Sequence, residues 1–177
     1  MPLGWFRKTR HSPRPLDASH ASDTDRVVMA RALELARDAA SRGEVPVGAI
    51  VYRTETGEVL ARGSNTREHE GDPAGHAELI AMRLAAREIG DWRLGECTLV
   101  VTLEPCAMCA GLIVNARLGR LVYGASDPKA GAVESLYRLC QDKRLNHRVT
   151  PIAGVMAEES SRLLKEFFRE RRRPAQG

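Results

Sequence analysis

Two cysteines three residues apart, opened by a proline, constrain this chain more than any other feature. They stand in Pro105-Cys106-Ala107-Met108-Cys109. In a helix, positions i and i+3 lie on one face a turn apart, so both sulfurs can meet at one point. Pro105 suits the first turn of such a helix. The helix start supplies partial positive charge, which favours thiolate over thiol. By itself a Cys-x-x-Cys pair is a metal clamp, a redox pair or two buried thiols. The sequence that follows, Ala110-Gly111-Leu112-Ile113-Val114, reads as a packed helix and lacks the thioredoxin-like context of a redox pair.

Upstream lies His76-Ala77-Glu78. Alone, His76 reads as an ordinary satisfied histidine and Glu78 as a solvated helix residue. Their conjunction with Pro105-Cys106-x-x-Cys109, across an intervening strand, points to zinc. Two thiolates and one imidazole make three ligands, and a catalytic zinc keeps its fourth position for water. Glu78 is then not a ligand. Two residues from His76 at a helix start, it can reach over that water and relay its proton.

The remaining composition bounds the setting. The length of 177 residues suits one domain with a real hydrophobic core. No apolar run approaches the ~18 residues of a membrane span. A net charge of +4 and a pI near 9.1 admit a polyanionic partner, although many basic proteins simply carry solvated lysines and arginines. Four cysteines are too few for a disulfide scaffold, and residues 1–23 lack the apolar core of a secretory signal. The expected home is therefore the reducing cytoplasm. No role is assigned to Cys97 or Cys140, which read as buried, inert thiols.

Residues 1–22 carry Pro2, Pro13 and Pro15 without apolar periodicity and read as a flexible basic arm. The arm faintly resembles an organellar transit peptide, and its Trp5-Phe6-Arg7-Lys8 could touch RNA. A folded domain is expected over 23–173, with a tail at 174–177. Ser22 and Asp25 look like a helix-opening capping pair, and Gly43 ends that helix. Strands follow at 45–52 and 58–63, then a polar loop over 64–75. A helix is expected over 76–89, a strand over 97–103, a helix over 106–117 and a strand over 119–125. Beyond the loop at 126–131, a short helix is expected over 132–140, a strand over 149–155 and a last helix over 157–172. The alternation predicts an α/β fold: a three-layer α/β/α sandwich on a mixed central sheet, with an antiparallel opening hairpin and parallel later units.

With these motifs in place the chain resembles the bacterial tRNA-specific adenosine deaminases, zinc enzymes whose His-x-Glu and Pro-Cys-x-x-Cys pattern is a known deaminase signature. The resemblance runs from about Asp25 to Arg172. It includes Glu44-Val45-Pro46-Val47-Gly48-Ala49, Asn65, Asp72-Pro73, Leu103-Glu104-Pro105, Gly124-Ala125-x-Asp127-x-Lys129-x-Gly131, Asn146-His147-Arg148-Val149 and Phe167-Phe168-Arg169-x-Arg171-Arg172. It implies a cytidine-deaminase-like fold, one zinc ion per subunit, a homodimer, and conversion of adenosine to inosine at wobble position 34 of an arginine tRNA. It also implies that Asn65 hydrogen-bonds the purine. The backbone at Ala77, Pro46 and Val47 would wall the pocket. Asp127 would sit near the ribose-phosphate, and Phe167 and Arg169 would lie against the anticodon loop. Asn65 and Asp127 could equally be turn residues, and of Phe167 and Phe168 one is expected in the core.

Departures from the family include Gly75 where alanine is common, Ser126 where some members have arginine, and Gln141-Asp142-Lys143-Arg144 where Pro-Gly is familiar. Two other functions fit the same motifs. One is a guanine, cytosine or nucleoside deaminase acting on free small molecules. The other is a catalytically silent, zinc-stabilised RNA-binding module, which the intact Glu78 argues against.

Overall fold

The computed structural model of the protein describes residues 14–172. Trp5-Phe6-Arg7-Lys8 and the tail at 174–177 lie outside the described residues. Strands β1 (Gly48–Arg53), β2 (Val59–Ser64), β3 (Cys97–Leu103) and β4 (Arg120–Ala125) form one sheet in the order β2-β1-β3-β4. β1 is antiparallel to both β2 and β3, and β3 is parallel to β4. Helices α1 (Asp23–Ser41), α2 (Arg67–Glu70), α3 (Ala77–Ile89), α4 (Ala107–Asn115) and α5 (Ala157–Arg171) complete the domain.

The period-two alternation of the strands sorts the core into two layers. Val51, Leu99, Val101, Leu121 and Tyr123 pack with Ala81, Met82 and Ile113 beneath α3 and α4. Ile50, Tyr52, Val100 and Val122 point the other way, onto Val28, Met29 and Ala32 of α1. α5 lies on this second face, against β4 and α1. The expected three-layer sandwich follows. Its α1 layer sits close: a Cβ at Gly48 would lie 2.0 Å from the Ala32 carbonyl oxygen, so only glycine lets helix and strand meet there. Among the described residues no helix is long and apolar enough to cross a membrane.

The expected cap of α1 is present. The Ser22 hydroxyl accepts from the Asp25 amide, and the Asp25 carboxylate accepts from the Ser22 amide. The same carboxylate, fully buried, accepts from Arg120 and from the Tyr52 hydroxyl, each at 2.6 Å. One acidic residue thus ties α1 to β1 and β4.

Four local expectations are corrected. Residues 132–140 form turns, with a 3-10 helix only at Leu139–Gln141, because the amides of Val133, Glu134 and Ser135 donate to the Glu104 carboxylate rather than to a helix ladder. The strand expected over 149–155 shrinks to Ile152. Its amide bonds to Leu121 and its carbonyl accepts from Tyr123, but Pro151 has no N–H to extend the ladder. Ile152 is also bridged by Leu16, whose amide donates to Pro151 and whose carbonyl accepts from Ala153. Residues 14–22, expected as the end of the arm, therefore lie along the sheet and include a 3-10 turn at Ala18–His20. Finally, the expected loop over 64–75 contains α2, whose first amides reach the buried carboxylate of Glu44.

Candidate active site

Two helix beginnings build the site. His76 and Cys106 occupy the N-cap positions of α3 and α4, each in extended conformation, so each side chain turns away from the helix that follows it. Cys109 is buried in the first turn of α4. Neither N-cap side chain bonds an amide of its own helix, so the partial positive charge of two helix starts lies beside the donors.

His76 Nδ1 lies 3.7 Å from Cys106 Sγ and 3.5 Å from Cys109 Sγ, and the two sulfurs are 3.6 Å apart. A tetrahedral zinc with bonds of about 2.3 Å to sulfur and about 2.0 Å to nitrogen separates its ligands by about 3.8 Å and about 3.5 Å respectively. The donor triangle has the size that zinc requires, and these three residues are the candidate metal-holding group among the described residues. The three groups share protons among themselves in the absence of an ion. The Cys106 thiol is brought down to about 3, chiefly by the hydrogen bond it receives from Cys109 and then by His76. Cys109 is pushed up by donating that hydrogen bond and by burial. His76 is raised by the adjacent Cys106 sulfur.

Glu78, in the first turn of α3, is 4% exposed. Burial raises its carboxyl above the usual range, against the attraction of His76. It is an acid held close to the donor triangle without belonging to it.

The residues expected to wall a pocket come together beside this group. Val47 and Pro46 are buried just before β1. The Asn65 amide donates to the Val47 carbonyl at 3.2 Å, and Asn65 Oδ1 accepts from the Ala77 amide at 3.1 Å. Asn65 is thereby oriented through its oxygen, leaving its NH2 without a partner among the described residues. Asp127 belongs to the loop after β4 and is both a turn residue and a neighbour of the metal-ligand segment. Its Oδ1 accepts from Lys129 and Ala130, while the loop it starts bridges Gly131 to Cys106.

Phe167 and Arg169 are not brought to the donor triangle. They lie on α5, across the sheet from α3 and α4. Phe167 is buried at 7% exposure, stacked edge-on against Phe168 and covered by the Arg171 guanidinium. Phe168 is the exposed ring of the pair, since the helix turns the two neighbours to different sides. Arg169 is exposed and shares an outer face with Arg162, Lys165 and Arg172.

Two carboxylates that shape the site had no role from sequence. Glu44 and Glu104 are 1% and 2% exposed, and each accepts backbone amides from a loop flanking the triangle. The signal was there: a lone charge inside an apolar run, as in Gly43-Glu44-Val45 and Leu103-Glu104-Pro105, is expensive to bury unless it collects hydrogen bonds.

An α/β sandwich that brings two helix starts, a His-Cys-Cys triangle and a buried glutamate to one place defines a deaminase-type hydrolase. The chain matches the MafB19-like deaminase family over residues 23–172. It is 45% identical over 151 residues to the tRNA-specific adenosine deaminase of Haemophilus influenzae, covering 85% of this chain and 87% of that one. It is 49% identical over 159 residues to a tRNA(Ile)-lysidine synthase of Deinococcus radiodurans, but spans only 26% of that longer protein. A solved structure from work on A-to-I editing by tRNA:A34 deaminases superposes with a TM-score of 0.73 at 43% identity, over 77% of this chain and 97% of that chain. The chain belongs to the deaminases of the MafB19-like family model, and its identity to the tRNA-specific adenosine deaminases places it in their family.

Proposed function

We propose that the protein hydrolyses adenosine to inosine at wobble position 34 of tRNA, in the arginine anticodon loop, releasing ammonia. The observation that carries this reading is the His76–Cys106–Cys109 triangle with buried Glu78 beside it. The names of the relatives supply the substrate class.

His76, Cys106 and Cys109 would hold one zinc ion per subunit. When bound, zinc would lower the pKa of water and so make hydroxide available near neutrality. The chain's own residues do the rest. Asn65, fixed by Val47 and Ala77, offers its NH2 to an acceptor on the purine. Pro46, Val47 and Ala77 close the wall around the base. Glu78 takes one proton of the attacking water and delivers it to the purine ring nitrogen; it then takes the second proton, from the hydroxyl now on the purine carbon, and gives it to the amine, which departs as ammonia. Burial keeps its carboxyl ready to hold that proton. Asp127 borders the ribose-phosphate. An anticodon loop suits such a pocket because its bases are single-stranded, so turning one out is less costly than in a duplex. Arg169 and its neighbours on α5 offer charge to the phosphates.

The same reading includes a homodimer in the cytoplasm. A second copy would cover the apolar cleft of about 320 Å³ between α3 and α4, beside the half-exposed Trp92.

The test is direct. The zinc-loaded protein is incubated with an arginine anticodon stem-loop carrying adenosine 34 and, separately, with free adenine, guanine, cytosine and cytidine. Inosine in the RNA alone is expected. Turnover of a free base with the RNA untouched would replace this reading with that of a small-molecule deaminase.

A further inference from the structure

The geometry points to Glu104 as a positioning residue that fastens the substrate-side loop to the metal-ligand segment. The inference rests on the substrate wall proposed above. Glu104 is 2% exposed and stands two residues before Cys106, yet its carboxylate is engaged by the segment 127–135 and is not one of the three donors. Oε2 accepts from the Asp127 amide at 2.9 Å and from the Ser135 hydroxyl. Oε1 accepts from the amides of Val133, Glu134 and Ser135 at 3.2, 2.7 and 2.9 Å. One buried anion thus gathers both ends of the segment 127–135.

Two backbone contacts tighten the join. The Ala132 amide donates to the Pro105 carbonyl at 2.8 Å, and Gly131 bridges to Cys106. Space is closed around the carboxylate as well. A Cβ on Gly131 would lie 2.4 Å from the Glu104 carboxyl carbon, so only glycine fits at that turn. The loop carrying Asp127 is therefore keyed to the backbone of a metal ligand and does not float above the pocket.

This arrangement assigns Glu104 a task different from that of Glu78. An unanchored loop would leave the donor triangle intact but blur the wall that receives the RNA. The expected signature is a rise in KM larger than the fall in kcat, with zinc retained. Hydrogen bonds to a charged group are strong enough for a change of at least about tenfold.

The experiment compares Glu104→Gln, Ser135→Ala and Ser135→Thr with the unaltered protein, all zinc-loaded. It reads bound zinc, KM and kcat on the anticodon stem-loop, and hydrogen exchange at the amides of 127 and 133–135. Glu104→Gln, which turns an NH2 toward amide donors, is expected to raise KM at least about tenfold and to speed exchange at all four amides. Ser135→Ala gives a smaller effect in the same direction, and Ser135→Thr restores the original values because it keeps the hydroxyl. If Glu104→Gln does not fold, the two Ser135 variants read the same contact from the loop side. Faster exchange with KM unchanged would overturn the inference, and so would zinc loss that accounts for the whole decline. Failure of the unaltered protein to act on the RNA would sink the proposed substrate instead. The exchange arm would then still decide on Glu104, because unchanged protection at these amides overturns the anchoring by itself.

Discussion

The two faces of the sheet solve different problems. On the α3/α4 face, three donor atoms are set by two helix beginnings, and one acid, Glu78, is buried where desolvation outweighs the attraction of His76 and raises its carboxyl. On the α1/α5 face, buried charge is neutralised: Asp25 meets Arg120 at 2.6 Å, and the cations along the outer side of α5 face solvent. The difference teaches where each kind of work resides. Chemistry needs a few atoms held in place and an acid whose protonation is shifted by burial. Cohesion needs the opposite, and attraction to a polyanion needs only dispersed charge.

Substitutions on the two faces should therefore fail in different ways. The largest effect belongs to the α3/α4 face. Cys106→Ala is expected to abolish both zinc content and turnover. Glu78→Ala should keep zinc, read by metal analysis, while kcat falls about 10²–10⁴-fold, as loss of a general acid–base does. Loss of zinc in that variant would make Glu78 part of the metal site and erase the distinction between acid and ligands.

Next comes Asp25→Ala, which leaves Arg120 facing an uncompensated, partly buried place. A loss of about 3–5 kcal/mol in unfolding free energy is expected by denaturant titration, with kcat per folded molecule unchanged. The pH dependence follows from the sign of the shift. Burial opposes ionisation of Asp25, but Arg120 and Tyr52 outweigh it and hold the carboxyl below its ordinary 3.8. Its contribution is then fully present above that value and disappears as pH falls through the lower, folded one. The difference in stability between the unaltered protein and Asp25→Ala should shrink as the solution is acidified below about pH 4.

A smaller effect is expected from Lys165→Ala combined with Arg169→Ala. KM for the RNA should rise several-fold, and the slope of log affinity against log salt should weaken by about 0.7 for each phosphate that is no longer neutralised. A fall in kcat with unchanged salt dependence would move α5 into the chemistry. The smallest effect concerns Cys97 and Cys140. Both thiols are buried and pushed up by burial, Cys140 to about 12. In the folded, zinc-loaded protein neither should react with a thiol reagent on the timescale on which the unfolded chain reacts fully.

Much of this was legible in the sequence because it depends on local spacing. Cys106 and Cys109 are one helical turn apart, His76 and Glu78 share a helix beginning, and Ser22 and Asp25 form a capping pair. β3 begins and ends where its apolar run does. What escaped is set by contacts between distant segments. The pattern at 132–140 suits a helix, but its amides answer to Glu104, about thirty positions earlier. α2 forms where Glu44 can receive its amides. The pairing of Leu16 with Ile152 joins two stretches that look irregular when read alone. Which of Phe167 and Phe168 is buried follows from how α5 is rotated against α1 and β4, which its sequence only narrows to two.

The α3/α4 face is proposed to perform acid–base deamination of an RNA adenosine while the rest of the fold supports it. Single-turnover conversion of adenosine 34 to inosine, followed by mass spectrometry of the stem-loop with zinc quantified in the same samples, tests it most directly. Inosine is expected from the unaltered protein and none above background from zinc-replete Glu78→Ala. Equal conversion by the two proteins would contradict it.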